Sequence, residues 1–454
     1  MEPALATVDE AAETYRRLSF WHDTVPDDLT PRGALTGDLE VDVAIIGAGL
    51  TGLWTAYYLI EADPSLRIVV LEKHIAGFGA SGRNGGWCSA LFPASTAALE
   101  RRHGLAAALA MRRAMIATVD EVGRVAAAEG IDCDFAKGGT VSYARTEVQR
   151  RAARAEVAEA ERYGVDAITL RDDGGSFDPA CARLHPAKLV RGLARVVESK
   201  GVRIVEGTAV LNFASGSVRT DRGTVTCATV VVATEGYGAT MRQSHRTVLP
   251  LYSLMIATEP LADEVWDELG IAHGHTFTDF RHLIVYGQRT ADNRFAFGGR
   301  GAGYHWGSAI RDSYDRSPAV FTHLHQALEQ LFPAAGPLTV SHRWGGPLGV
   351  PRDWHAGARY DPATGIASAG GYVGDGLSTT NLAGRTLAQL ITEQHGELMS
   401  LPWVNHRSPR WEPEPLRFIG ANLGTLAMRA ADAEEKVTKR PSIAARLMGP
   451  LVGH

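Results

Sequence analysis

The stretch Val41-Asp42-Val43-Ala44-Ile45-Ile46-Gly47-Ala48-Gly49-Leu50-Thr51-Gly52 decides the fold of this chain. Its first six residues are mostly apolar and β-branched on both alternating faces, the pattern of a strand covered on two sides. Three glycines at Gly-x-Gly-x-x-Gly spacing follow, and Leu50 to Ile60 then reads as a helix. Gly47 permits a tight turn, Gly49 lets the backbone approach a pyrophosphate, and Gly52 lets helix and strand pack closely. The start of the helix, Leu50 and Thr51, would turn free N–H groups toward the phosphates. Arg67 to Glu72 is a second buried strand, completing a βαβ unit of about 30 residues. Glu72, 20 residues beyond Gly52, stands where a carboxylate can accept from ribose hydroxyls.

Phe78-Gly79-Ala80-Ser81-Gly82-Arg83-Asn84-Gly85-Gly86-Trp87 indicates which dinucleotide is bound. A nicotinamide nucleotide has no need of a glycine-dense loop soon after the acidic residue. FAD does, because its isoalloxazine must be held beyond the pyrophosphate. Gly79, Ala80, Ser81, Arg83, Asn84, Gly85, Gly86 and Trp87 therefore join the fingerprint residues as candidate cofactor contacts. Read without its neighbours, the loop would pass for an ordinary flexible turn.

The rest of the chain is compatible with this reading. Its 454 residues exceed one ordinary core and predict two closely packed domains. The formal charge of −5, with no basic run interleaved with aromatics, argues against general affinity for nucleic acid or anionic membrane. Cys88, Cys133, Cys181 and Cys227 are widely spaced, so neither a disulfide framework nor a metal site is expected. Val43 to Ile60 is uncharged over about the length of a membrane span, but it divides into strand, glycine turn and amphipathic segment. No integral span is therefore expected. Met1 to Thr14 is acidic without an apolar core, so the expected location is cytoplasmic. Nothing in the sequence sets the oligomeric state.

Along the chain, α/β and strand-rich pieces alternate. Residues 1–37 read as a partly ordered lead-in, and 96–129 as one long Ala-rich helical stretch. Gly138 to Ala144 predicts a strand, Thr146 to Tyr163 a helix, Ala187 to Ser199 a helix and Val202 to Val205 a strand. Val218 to Thr220 with Val225 to Cys227 predicts a short hairpin, and Ala228 to Ala233 a further buried strand. Residues 249–341 are strand-rich, and Ile366 to Ala369 leads through glycines into a helix from about Ser378 to Gln394. The expected fold class is α/β: a Rossmann-like FAD-binding domain with a parallel sheet, interleaved with a strand-rich α+β substrate domain. The first would comprise 38–131, 185–245 and 345–430, the second 132–184 and 246–344, with a C-terminal tail at 431–454.

The sequence resembles the flavin amine oxidases of the D-amino-acid oxidase and glycine oxidase superfamily, most of all their γ-glutamylputrescine oxidase-like branch. The resemblance is carried by Gly47 to Gly52, Glu72-Lys73, Gly79 to Gly86, Ala233-Thr234-Glu235-Gly236 and Gly370-Gly371-Tyr372-Val373-Gly374-Asp375-Gly376. It implies that Lys73, Thr234 and Gly236 lie against FAD and that the backbone of Val210 meets the adenine. It also implies that Gly374, Gly376, Leu377, Ser378 and Thr379 bring a helix start to the flavin pyrimidine. Such a start offers N–H groups and a positive dipole end, although a Ser or Thr there can also be only a cap.

The implied reaction is oxidation of a primary or secondary amine. Hydride leaves the carbon next to nitrogen for the flavin, the imine hydrolyses, and O2 or another acceptor takes the electrons, O2 giving hydrogen peroxide. The substrate is then a small-molecule amine, which reacts as the neutral form and favours an apolar, aromatic site. Around the ring the resemblance places the segments holding Tyr252, Arg300, His305, Trp344 and Tyr372, the catalytic candidates; any single Tyr, Trp or His among them could equally be core packing. One departure bears on substrate. Trp344-Gly345-Gly346 is followed by Pro347-Leu348-Gly349, without the Arg that binds an α-carboxylate in the amino-acid oxidases. Arg300 or Arg343 could replace it. The Lys that related sarcosine oxidases keep for oxygen activation is also missing near Gly301, with Arg300 beside that place. A dehydrogenase acting on N-methyl or imino-acid substrates is thus one alternative, and a flavoprotein with a structural or binding role another. Cys88 reads as a buried thiol and the loop holds no His, so FAD is expected to be non-covalent.

Overall fold

The computed structural model describes residues 8–443 and 445, leaving the start of the lead-in (1–7) and most of the tail's end (444 and 446–454) outside the described residues. Leu39–Ile46 lies at the centre of an eight-stranded sheet, paired in parallel with Thr224–Val232 on one side and Ile68–Leu71 on the other. Arg203–Val205 extends the parallel set beyond Ile68–Leu71, and Ile366–Gly370 extends it beyond Thr224–Val232, with Gly357–Asp361 antiparallel at that edge. Val43 and Ile45 face a core shared with the helices Leu50–Ala62, Leu105–Ala128, Pro186–Ser199 and Gly376–Ile391. Ala44 and Ile46 face a second cluster with Val69, Leu71 and Val230. Burial on both faces is why this strand reads as an unbroken apolar run.

A second eight-stranded sheet runs Val340–Val350, Leu249–Thr258, Phe295–Gly299, Val285–Arg289, Thr276–Asp279, Thr140–Tyr143, Ser176–Asp178 and Thr169–Leu170. Its pairs are antiparallel except that Thr276–Asp279 and Thr140–Tyr143 are parallel, so it is a mixed sheet. One face is covered by Pro318–Leu331, which inserts Val320, Phe321, Leu324 and Leu328 among Tyr252, Leu254, Ile256 and Phe297. The fold is thus α/β with one largely parallel and one largely antiparallel sheet, and the pieces interleave in sequence as expected.

Several elements depart from the sequence reading. The stretch 96–129 is two helices, Thr96–His103 and Leu105–Ala128, parted at Gly104, whose φ of 85° only glycine adopts without strain. The hairpin arm Val225 to Cys227 and the strand Ala228 to Ala233 are one strand, Thr224–Val232. Its first half pairs antiparallel with Ser217–Thr220 and its second half in parallel with Ile366–Gly370, so two partners share one extended segment. Helix Pro318–Leu331 lies within the region read as strand-rich.

Both ends are also more ordered than the sequence reading. The lead-in contains helices Val8–Arg16 and Phe20–Thr24, with Phe20 and Trp21 buried. Helix Leu416–Thr438 crosses the expected 430/431 boundary, and the Asp432 carboxylate accepts from the N–H groups of His282 and Leu283. Strand Val340–Val350 likewise crosses 344/345. Among the described residues no helix is long and apolar enough to cross a membrane.

Candidate cofactor and active site

The turn after Leu39–Ile46 is held from three sides. Gly47 has φ 105°, and a Cβ there would stand 2.6 Å from the Ala233 carbonyl oxygen. A Cβ on Gly52 would stand 2.1 Å from the Gly47 oxygen, so helix and turn touch backbone to backbone. The Glu72 carboxylate accepts from the N–H groups of Ala48 at 2.9 Å and His74 at 2.8 Å. Burial pushes the Glu72 carboxyl above its ordinary range. Ser81 Oγ accepts from the Leu50 N–H at 2.8 Å and thereby caps the helix that Gly49 cannot cap with a side chain.

One cavity of about 620 Å³ is lined both by this turn and by the second sheet. That size is ordinary for a cofactor pocket, roughly 300–1,000 Å³. Gly47, Gly49, Leu50, Thr51, Glu72, Lys73 and Val210 line it. So do Gly79, Ala80, Ser81, Arg83, Asn84, Gly85 and Trp87, together with Thr234, Gly374, Gly376 and Leu377. These residues fit FAD: a backbone cradle free of side chains, a carboxylate at the strand end, and a long cavity reaching a second helix start.

Gly52, Gly86, Gly236, Ser378 and Thr379 were expected at the cofactor but do not line the cavity. A Cβ at Gly86 would stand 2.1 Å from both Leu184 O and Gln288 Nε2, and one at Gly236 would meet the Pro347–Gly349 backbone. Ser378 donates to Ser89 O and Thr379 to Asp375 O, each at 2.5 Å, so both hydroxyls are spent inside the protein. These residues, with Gly52, pack elements around the cavity instead of facing it.

Within the loop, Asn84 is a brace. Its amide donates to Ala80 O and Ser81 O, while its Oδ1 accepts from the Gly86 N–H. Arg83 is paired with Asp315 at 3.2 Å and donates to Tyr237 Oη at 2.7 Å. Trp87 donates to Thr140 Oγ1 at 3.0 Å and stacks on Tyr286, with centroids 6.0 Å apart.

Of the catalytic candidates, Arg300 and Tyr372 line the cavity, whereas Tyr252, His305 and Trp344 do not. Strand alternation explains Tyr252: with Leu254 and Ile256 it points into the core behind the sheet, while Ser253 and Met255 face the cavity. His305 stacks on Tyr314 at 3.4 Å, edge-on to Tyr252 on that back side. Trp344 lies behind the loop, donating to Arg83 O at 2.9 Å and packing with Phe20, Trp21 and Met255. Tyr372 is buried, with its hydroxyl 3.0 Å from Thr51 Oγ1, so it ties the C-terminal segment to the first helix. Arg343 is exposed and outside the cavity.

Cavity-lining residues that were not singled out as site candidates from the sequence include Ser253, Met255, Tyr286, Leu348, Trp354, Glu235 and Asp375. Tyr286 and Ser253 hydrogen-bond at 2.8 Å. Alternation along Leu249–Thr258 would have flagged Ser253 and Met255; no local signal marks Trp354. Burial raises Asp375 to about 6 and Glu235 to about 7. Glu235 has φ 43° and accepts the Tyr372 N–H at 3.0 Å. The four cysteines are buried and unpaired, and none lines the cavity, which agrees with non-covalent FAD.

Known proteins share the sequence pattern and the fold. The chain is 29% identical over 426 residues to gamma-glutamylputrescine oxidoreductase of Escherichia coli, covering 89% of this chain and 96% of that protein. It is 23% identical over 387 residues to sarcosine oxidase subunit beta of Rhizobium meliloti, covering 77% and 84%. The fold matches glycine oxidase from Bacillus cereus with a TM-score of 0.64 at 18% identity, over 82% of this chain and 100% of that one. Residues 42–390 match the DAO family, described as FAD dependent oxidoreductase, and the chain belongs to that family.

Proposed function

We propose that the protein oxidises a primary or secondary amine at the carbon next to nitrogen. The observation that carries this reading is the aromatic and apolar surround of the cavity on the second-sheet side: Trp87, Met255, Tyr286, Leu348 and Trp354. Such a lining disfavours the ammonium form and leaves the neutral amine, which can release hydride. Bound FAD supplies the hydride acceptor. The nitrogen proton leaves as the imine forms, and water then cleaves the imine to an aldehyde and ammonia or a smaller amine. The chain's part is to hold the amine against the ring and to limit water there. Among the described residues no His, Cys, Asp and Glu group is arranged to hold a metal, and the chemistry proposed needs none. The name of the Escherichia coli relative makes a γ-glutamylated diamine a natural member of any substrate panel.

The electron acceptor is O2 in this reading, giving hydrogen peroxide. A dehydrogenase using another acceptor is the second reading. It is favoured by the position of Lys73, the single lysine on the cavity among the described residues, which adjoins Glu72 and not Arg300. Anaerobic addition of an amine panel to the holoenzyme, followed by air, tests both. Bleaching of the flavin with peroxide formed mole for mole supports the oxidase. Bleaching without reoxidation by air supports the dehydrogenase. No bleaching by any amine leaves a structural or binding role for the flavin.

A further inference from the structure

On the second-sheet side the cavity floor is a single row of residues in register across six strands. Met255 pairs with Gly298, Gly298 with Tyr286, Tyr286 with Thr278, Thr278 with Ser142, and Ser142 with Ser176. Paired residues share a face. Met255, Tyr286, Thr278 and Ser142 line the cavity, while Phe277 and Val141 turn to the core behind the sheet. The row therefore runs from the aromatic end, at Tyr286, through two hydroxyls to Ser176. That distance is three strand spacings, roughly 14 Å. Ser176 donates its hydroxyl to the carboxylate of Glu156, which lines the far end of the cavity from helix Glu147–Tyr163.

Two carboxylates line that end, in opposite states. Asp279 is spent on Arg281, at 2.5 Å. Glu156 is half-buried and forms no ion pair among the described residues. The other charges facing it are Asp178 and Glu159, which deepen the negative field, and Arg112, which is paired with Asp166 at 2.5 Å. Burial pushes the Glu156 carboxyl up, a cost that a cation beside it would remove.

We propose that Glu156 anchors a second, remote cationic nitrogen of the substrate, so that the protein acts on elongated amines charged at the end away from the reacting C–N bond. This rests on the amine-oxidising reading and gives it a substrate class. The two ends of the cavity then sort the two nitrogens of one molecule. The aromatic end favours a neutral amine, and the carboxylate end favours an ammonium. Chain length decides whether both are met at once, because the strand spacing fixes the distance between them.

The test uses the holoenzyme and two linear probe pairs: decanediamine against aminodecanol, and butanediamine against aminobutanol. Wild type should prefer the long diamine over the long amino alcohol in kcat/KM by roughly 10- to 150-fold, the range for hydrogen bonds to a charged group. The short pair cannot span the floor and should show a much smaller ratio. In Glu156→Gln, which keeps an acceptor for Ser176, the long-pair ratio should fall toward one. A second readout needs no turnover. Decyltrimethylammonium has no nitrogen lone pair and cannot be oxidised. It should shift the flavin absorbance saturably, with an affinity at least about tenfold weaker in Glu156→Gln at equal flavin content. Decanol should bind wild type and variant alike. A long-pair ratio near one in wild type, a ratio untouched by Glu156→Gln, an equal ratio for the short pair, or decyltrimethylammonium binding that ignores the variant overturns the proposal. If no amine is oxidised, the amine-oxidising reading fails separately, and the decyltrimethylammonium titration still decides whether Glu156 holds a cation.

Discussion

Ser81 Oγ accepts the Leu50 N–H at 2.8 Å, so the loop after the second strand caps the first helix of the dinucleotide unit. The glycine fingerprint and the glycine-dense loop, which are separate in sequence, are therefore one mechanical piece. Removing either should loosen the other.

Ser81→Ala should cost about 0.5–2 kcal/mol, the ordinary value of a lost cap, and weaken FAD retention. Gly52→Ala should be worse, because its Cβ would meet the Gly47 carbonyl oxygen at 2.1 Å and backbone cannot yield cheaply. Flavin-to-protein absorbance ratio and thermal unfolding of the two variants check this. Full flavin content in Gly52→Ala would contradict it.

Trp344→Ala should lose flavin and stability together, by about 3–5 kcal/mol for a buried aromatic. Its indole packs behind the loop and donates to Arg83 O, so turnover should fall because the loop is no longer held. Trp344→Phe keeps most of the packing and should keep most of the flavin. A Trp344→Phe enzyme with wild-type melting but no turnover would instead place the indole at the substrate.

Glu235 should make the protein less stable as pH rises. Burial raises its carboxyl from 4.5 to about 7, so between those values the folded form keeps a proton that the unfolded chain has released. Stability then falls with increasing pH through that window. Glu235→Gln keeps the acceptor for the Tyr372 N–H without titrating. Urea unfolding at about pH 5 and about pH 8 should show the variant gaining on wild type at the higher value.

Gly104→Ala should destabilise by about 1–3 kcal/mol through backbone strain alone. The residue has φ 85° and ψ 162°, while no heavy atom lies within 4 Å of the place a Cβ would take. Denaturant unfolding checks the cost, and flavin content should be unchanged.

Acid precipitation should release all flavin into the supernatant, because every cysteine is buried away from the cavity. Cys88→Ala should retain flavin as wild type does. Colour remaining with the precipitated chain would show a covalent bond.

What the sequence determined by itself is local. The strand, glycine turn, helix and Glu72 were legible because each glycine answers a short-range requirement: a positive φ at Gly47, a backbone contact at Gly52. The cofactor followed from the adjoining loop. What tertiary structure decided is which side chains of distant strands share the cavity. Tyr252 and Ser253 are neighbours in sequence, and only sheet packing shows that the tyrosine turns to the core while the serine turns to the cavity. Trp344 has the composition of a site residue, yet the loop folds over it. Arg300 reaches the cavity and donates to the Val373 carbonyl, a contact between distant segments that only three dimensions reveal. Periodicity reports which face a residue takes, and only the packing of one sheet against the other reports what that face meets.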